Sequence, residues 1–209
     1  YRLFLIGAYK AGDLAQVYPI SRGAAPLMTA VATALLISEP LSATGFLAVL
    51  CLCAGVFLMS LRGGRLGEYA PKATGFALCT ALSTCAYSLV DGLGARINGS
   101  GPSYALYMFV GNMIAMQALA LLWRGTEPYR TFPQTWPQML GGGIMSMSAY
   151  FIVIWAMTKA PIALVAALRE TSVLFGAIIA VVWLKEPLIR ARVVATALVI
   201  AGAVLLRYR

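Results

Sequence analysis

The strongest constraint on this chain is that it carries part of itself twice. Residues 15–62 and 162–209 align without a gap. Arg22 meets Arg169, Glu39-Pro40-Leu41 meets Glu186-Pro187-Leu188, and Gly55 meets Gly202. The offset is constant at 147 residues (169 less 22, 186 less 39, 202 less 55). Each copy reads as an apolar span holding one Arg, a short Glu-Pro turn and a second apolar span. Internal repeats of this kind mark secondary transporters, where the substrate site lies between the copies.

The solvent for such spans must be lipid. The chain is 61% hydrophobic and 11% charged, with a mean hydropathy of +0.83. A soluble domain carries roughly 25% charged residues, and no soluble core of this size could hide so much apolar surface. The net charge of +9 fits basic loops bordering a membrane. No basic run with interleaved aromatics points to nucleic acid. With no histidine in the chain, histidine metal sites and histidine bases are excluded. Cys51, Cys53, Cys79 and Cys85 all fall inside apolar spans, and their spacing matches no zinc site, so they read as small buried packing residues.

A spanning helix needs about 20 apolar residues. The sequence predicts such helices at 15–38, 42–61, 73–93, 103–123, 137–157, 161–184 and 192–206, joined by turn-rich connectors. The opening stretch YRLFLIGAY (1–9) is half that length. At the same offset it aligns with 148–156, the second half of a full helix. Residues 67–147 have no counterpart ahead of the first copy, and the chain has no initiator Met. The reading is an all-α integral membrane protein from which roughly 80 N-terminal residues are missing, ten helices in two five-helix repeats when whole. Here that gives about seven full transmembrane helices and a half helix, with 1–66 ending the first repeat and 67–209 forming the second. Five helices per repeat is odd, so the two copies must be inverted. Lys10, Arg62, Arg65, Lys72, Arg124, Arg130, Lys185, Arg190 and Arg192 lie on one side, and Arg96, Lys159, Arg207 and Arg209 on the other. The richer side should be cytoplasmic and the C-terminus outside.

The segment 8–42 (AYKAGDLAQVYPISRGAAPLMTAVATALLISEPLS) resembles the EamA-type repeat of the drug/metabolite transporter superfamily. So does 160–188 (APIALVAALRETSVLFGAIIAVVWLKEPL), and AYSLVDGLGAR (86–96) resembles the end of the first helix of that family's second repeat. The resemblance implies a ten-helix, multi-pass carrier of the inner membrane with a central cavity, moving small metabolites and often exporting them. It also implies cytoplasmic termini, opposite to the charge count, so orientation stays open.

Four ionisable groups lie within predicted spans: Arg22, Asp91, Arg169 and Glu170. Each costs about 2.5–3.5 kcal/mol at the bilayer centre, so they should face protein or water. Two positive and two negative charges allow a neutral network. Arg22 and Arg169 would flank the cavity and attract an anionic group such as a carboxylate, or else pair structurally with a carboxylate or with carbonyls near a helix break. Glu170 follows Arg169, about 100° round a regular helix, so the two should not pair directly. Its carboxyl suits proton coupling or a helix–helix hydrogen bond.

Thr80, Thr84, Tyr87 and Asp91, spaced four, three and four, share a face that points to a cavity or a neighbouring helix. Asp91 lies near its helix end and could instead cap it or pair with Arg96. Tyr18, Arg22, Pro26, Thr29 and Thr33 share another face. Pro19 and Pro26 each remove a backbone donor, giving kinks that line a cavity or simply bend the helix. Asn112, Gln117, Tyr150 and Trp155 are further lining candidates, and Gly176 with Ala180 allows close helix contact.

The favoured function is a secondary carrier of small metabolites such as amino acids or amphipathic compounds, rocking between its two copies. An anion or nucleotide-sugar exchanger and a non-transporting membrane subunit are the alternatives. The chain holds no nucleotide-binding loop and no catalytic motif, so no enzyme activity and no cofactor or metal is expected. The expected partners are the bilayer and a small-molecule substrate, with protons as the coupling ion and a homodimer left open.

Overall fold

The predicted spans fold as helices. In a computed structural model, all residues are described except 12–13, 60–70, 127–128, 130–131, 183–189 and 207–209. At 2, 14–16, 19, 59, 176–177, 180–181 and 190–192 the backbone alone is described. The helices are α1 (Arg2–Ala11), α2 (Leu14–Leu36), α3 (Ala43–Met59), α4 (Pro71–Ile97) and α5 (Gly101–Arg124). They continue with α6 (Phe132–Met157), α7 (Ile162–Arg169), α8 (Ser172–Val182) and α9 (Arg190–Leu205). Among the described residues, α4, α5 and α6 are each long and apolar enough to cross a membrane. The protein is an all-α membrane protein, and many large apolar side chains remain exposed, as a lipid solvent allows.

Local chemistry sets the boundaries. Ser38, with φ of 55°, takes the left-handed conformation that ends a helix. Ser42 then caps α3, its hydroxyl accepting from Gly45 N at 3.1 Å. Ser100 caps α5 in the same way, followed by Pro102 in the first turn. The first Glu-Pro turn reaches further. Glu39 accepts a hydrogen bond from Ile162 N at 3.3 Å, placing a carboxylate at the positive end of α7. The second Glu-Pro turn (186–188) lies outside the described residues. So do the side chains of Gly176 and Ala180 and the ring of Pro19. The backbone of α2 runs as one helix through both Pro19 and Pro26.

The span predicted at 161–184 is interrupted. Glu170 N bonds Ala167 O and Thr171 N bonds Leu168 O, both at 3.0 Å; Val173 N bonds Glu170 O and Leu174 N bonds Thr171 O. The spacing has tightened from four residues to three, so α7 passes into α8 through a turn of 3₁₀ type. In the sequence, Glu170 and Thr171 sit inside an apolar run and look continuous with it.

The chain divides into two compact units: Tyr1–Val90 with Ala160–Arg209, and Asp91–Lys159. In the first, α2, α3, α7 and α9 bury Ala30, Val49, Leu52, Cys53, Ala163, Leu164, Ala167 and Val199 together. The copies meet there through α3 and α9. A Cβ on Gly55 would stand 2.9 Å from Ala195 O, and one on Gly202 would stand 3.0 Å from Ala48 O and 2.8 Å from Leu52 Cγ. Shifting by 147 turns Gly55 into Gly202 and Ala48 into Ala195, so the contact maps onto itself. As numbers rise along α3, those of its partners on α9 fall. The two helices are therefore antiparallel, and this pair of repeat elements is inverted. Only glycine lets the backbones come this near.

In the second unit, Ala95, Ala105 and Ile154 form the core, with Tyr104, Phe109 and Tyr150 packed against it. Of the cysteines, Cys53 and Cys85 are buried, as expected. Cys79 corrects that reading: it lies exposed on α4, where a small apolar side chain is equally at home against lipid.

Candidate functional site

The polar residues of the first unit converge on one cavity, of about 380 Å³ including its open mouth. From α1 and the residue before it come Tyr1, Leu5 and Tyr9; from α2 come Tyr18, Ser21 and Arg22; from α4 come Thr80, Thr84 and Tyr87. Helical spacing explains each set. Tyr1, Leu5 and Tyr9 recur every four residues, and so do Thr80 and Thr84, which brings each series onto one face. The tyrosine rings are ordered against one another and against cations. Tyr1 and Tyr87 meet edge-on with centroids 5.9 Å apart. The Arg22 guanidinium lies 5.9 Å from the Tyr18 ring and that of Arg169 lies 5.8 Å from the Tyr87 ring.

Behind the cavity sits a charge cluster. Glu170 is 1% exposed. Its Oε1 lies 3.5 Å from Arg22 Nη1 and 3.5 Å from Arg169 Nη2. Arg169 also donates to the Tyr87 hydroxyl at 3.2 Å. The other oxygen, Oε2, is buried with no hydrogen-bond partner among the described residues. The geometry corrects one expectation: Arg169 and Glu170 do pair. The 100° separation holds for a regular helix and short side chains. Here the turn tightens at Glu170, and the long arginine arm folds back onto its neighbour.

The remaining candidates separate. Asp91 and Tyr150 lie in the second unit and belong together. Asp91 is 7% exposed; Tyr104 donates to its Oδ1 at 3.0 Å and Tyr150 to its Oδ2 at 2.5 Å. Arg96, the partner expected for Asp91, instead donates to Met157 O at 2.9 Å. Gly94 makes the tyrosine contact fit, since any Cβ there would run into the Tyr104 ring. Thr29 and Thr33, on the Arg22 helix, are buried and donate to Ala25 O and Ala30 O of their own helix, the usual solution for a hydroxyl out of water. Asn112 is exposed on α5. Gln117 is exposed and accepts from the Tyr129 hydroxyl.

The sequence reading missed Tyr1, Leu5, Tyr9 and Ser21 in the cavity and Tyr104 at Asp91. The first three were legible as a YxxxLxxxY stripe, obscured because the segment is too short to span. Chemically, the cavity offers aromatic walls, hydroxyls and one guanidinium with part of its donor capacity turned inward. Such a set has the chemistry to contact a small organic molecule by ring stacking and hydrogen bonding.

A membrane-embedded helical protein built from inverted copies is the class that this fold defines. The model of the EamA-like transporter family matches residues 72–208, and the chain belongs to that family of membrane transporters. A solved structure described only as the crystal structure of a protein superposes with a TM-score of 0.77 at 22% identity. The alignment covers 98% of this chain and 72% of that one, a likeness of fold. No curated protein matches the sequence.

Proposed function

We propose that this protein is a secondary carrier of small metabolites, working by alternating access between its two inverted copies in a cell membrane. The observation that carries this reading is the tyrosine-walled cavity lined by Arg22, the most exposed member of a cluster with Glu170 and Arg169. An intramembrane charge is costly and is kept where a substrate pathway uses it, and sites at repeat interfaces are the rule in such carriers. The copies would be 1–66, the end of the first, and 67–209, the second, moving against each other across the contact of α3 with α9. Export is the direction that the family resemblance favours, and the Glu170 carboxyl suits a proton as the coupling ion. Arg22, Tyr18, Thr84 and Tyr87 would touch the solute, while Arg169 and Glu170 would hold Arg22 in place. Pro19 and Pro26 would let α2 bend as the cavity opens.

The test is solute flux in vesicles holding the full-length protein, with and without a pH gradient. Amino acids, small anions and cationic dyes form the panel. At least one class should move, and Arg22→Ala should stop it with protein levels unchanged. Flux equal to wild type in Arg22→Ala would remove this cavity from the pathway.

A further inference from the structure

The two copies repeat their arginine but not its counter-ion. At the offset of 147, Arg22 corresponds to Arg169, and the next residue is Gly23 in the first copy and Glu170 in the second. The structure shows the consequence. Both guanidiniums approach the same oxygen, Glu170 Oε1, at 3.5 Å each. Among the described residues, no second carboxylate lies within ion-pair distance of Arg22. The other intramembrane acid, Asp91, belongs to the second unit, where both of its oxygens are occupied by phenols. One negative charge is thus divided between two positive ones, and a buried charge without its full partner is unstable unless something supplies it. The more exposed arginine is the one on the cavity: the Arg22 side chain is 38% exposed and that of Arg169 15%.

We infer that the cavity is a site for organic monoanions, the substrate's carboxylate lying against the Arg22 guanidinium that lines it. The inference rests on the carrier reading above and narrows it. The guanidinium of Arg22 receives the acid group, whose bound form completes the counter-charge that Arg22 now shares at Glu170. The rings of Tyr18 and Tyr87 take the apolar body of the solute. A neutral solute leaves the imbalance in place, and a cation worsens it.

Three probes of one size decide the matter: benzoate, benzamide and benzylamine, which carry a charge of −1, 0 and +1. Binding is read from the shift in melting temperature of the full-length protein in lipid discs, and flux separately in vesicles. Benzoate should bind at least about tenfold more tightly than benzamide, since charge-assisted hydrogen bonds are about twice as strong as neutral ones. Gly23→Glu supplies the missing carboxylate by the internal symmetry. A Cβ there meets only Cys53 O, at an ordinary 3.5 Å. This variant should lose the preference for benzoate, and Gly23→Gln, equal in size, should keep it. Arg22→Gln should lose it too, which covers the case in which position 23 tolerates no side chain. Equal binding of all three probes, binding of none, or identical behaviour of the Glu and Gln variants would overturn the inference. Solute flux without charge preference would leave the carrier reading standing and this one fallen. The expected binding order without any flux would do the reverse.

Discussion

Glu170 and Asp91 are both buried carboxylates on membrane helices, yet their surroundings differ. Asp91 has one phenol on each oxygen. Glu170 has two guanidiniums on one oxygen and no hydrogen bond among the described residues on the other. A polar group with all of its bonds made rigidifies what surrounds it, whereas a half-satisfied one is held under electrostatic tension. The first arrangement ties α4, α5 and α6 together. The second backs a cavity. Position in the membrane does not separate these two carboxylates; the count of satisfied lone pairs does.

The largest expected effect follows from removing the more strained of the two. Glu170→Ala takes the shared carboxylate from both guanidiniums, of which that of Arg169 is largely out of water. Breaking a buried ion pair from one side costs about 3–5 kcal/mol, so this variant should unfold well below wild type in detergent melting experiments. Adding Arg169→Met removes the opposing charge and should recover part of that loss. A Glu170→Ala protein as stable as wild type would mean that the two arginines find another counter-ion, and the contrast with Asp91 would disappear.

Asp91→Asn should be milder. The amide keeps one acceptor for one phenol but turns a donor toward the other, a loss of about 1–3 kcal/mol. If the phenol clamp is structural, flux per folded molecule stays near wild type, while Arg22→Ala abolishes it. Loss of flux at unchanged stability in Asp91→Asn would move this residue from scaffold to pathway.

Two groups of glycines extend the contrast to packing. Gly202 has Ala48 O and Leu52 within 3.0 Å of where a Cβ would stand, whereas Gly141, Gly142 and Gly143 on α6 have nothing within 4 Å. Gly202→Ala should cost about 1–3 kcal/mol through overpacking. Alanine at any of the three α6 glycines should be neutral, or stabilise the helix by up to about 1 kcal/mol. Melting temperatures of the four single variants check the order.

Much of the fold was legible. Span 15–38 became Leu14–Leu36, 42–61 became Ala43–Met59, and 73–93 became Pro71–Ile97, because apolar length and turn residues are local signals. The repeat aligned Gly55 with Gly202, but that their two helices pack on each other was seen only in the structure. The site was legible only in part. Arg22, Tyr18, Thr84 and Tyr87 could be placed on faces, since helical periodicity is local too. That Arg22 pairs with Glu170, 148 positions away, depends on how α2 packs against α7, which no periodicity encodes. The same limit hid Tyr104 from Asp91. The break at Glu170 was missed because the polar run from Arg169 to Ser172 was read as part of one continuous span.

The smallest effect tests how the Asp91 clamp is shared. Tyr104→Phe removes the 3.0 Å donor and Tyr150→Phe the 2.5 Å donor, while both rings keep their packing. Interhelical hydrogen bonds in membranes average about 0.6 kcal/mol, with a maximum near 1.7. Each single change should fall in that range. The double variant should cost more than the two singles together. One phenol can still hold the carboxylate when the other is gone, but with neither present the buried charge has no donor at all. A sum that is strictly additive would show that water already reaches Asp91, and the distinction between a sealed clamp in one unit and an open cavity in the other would have to be redrawn.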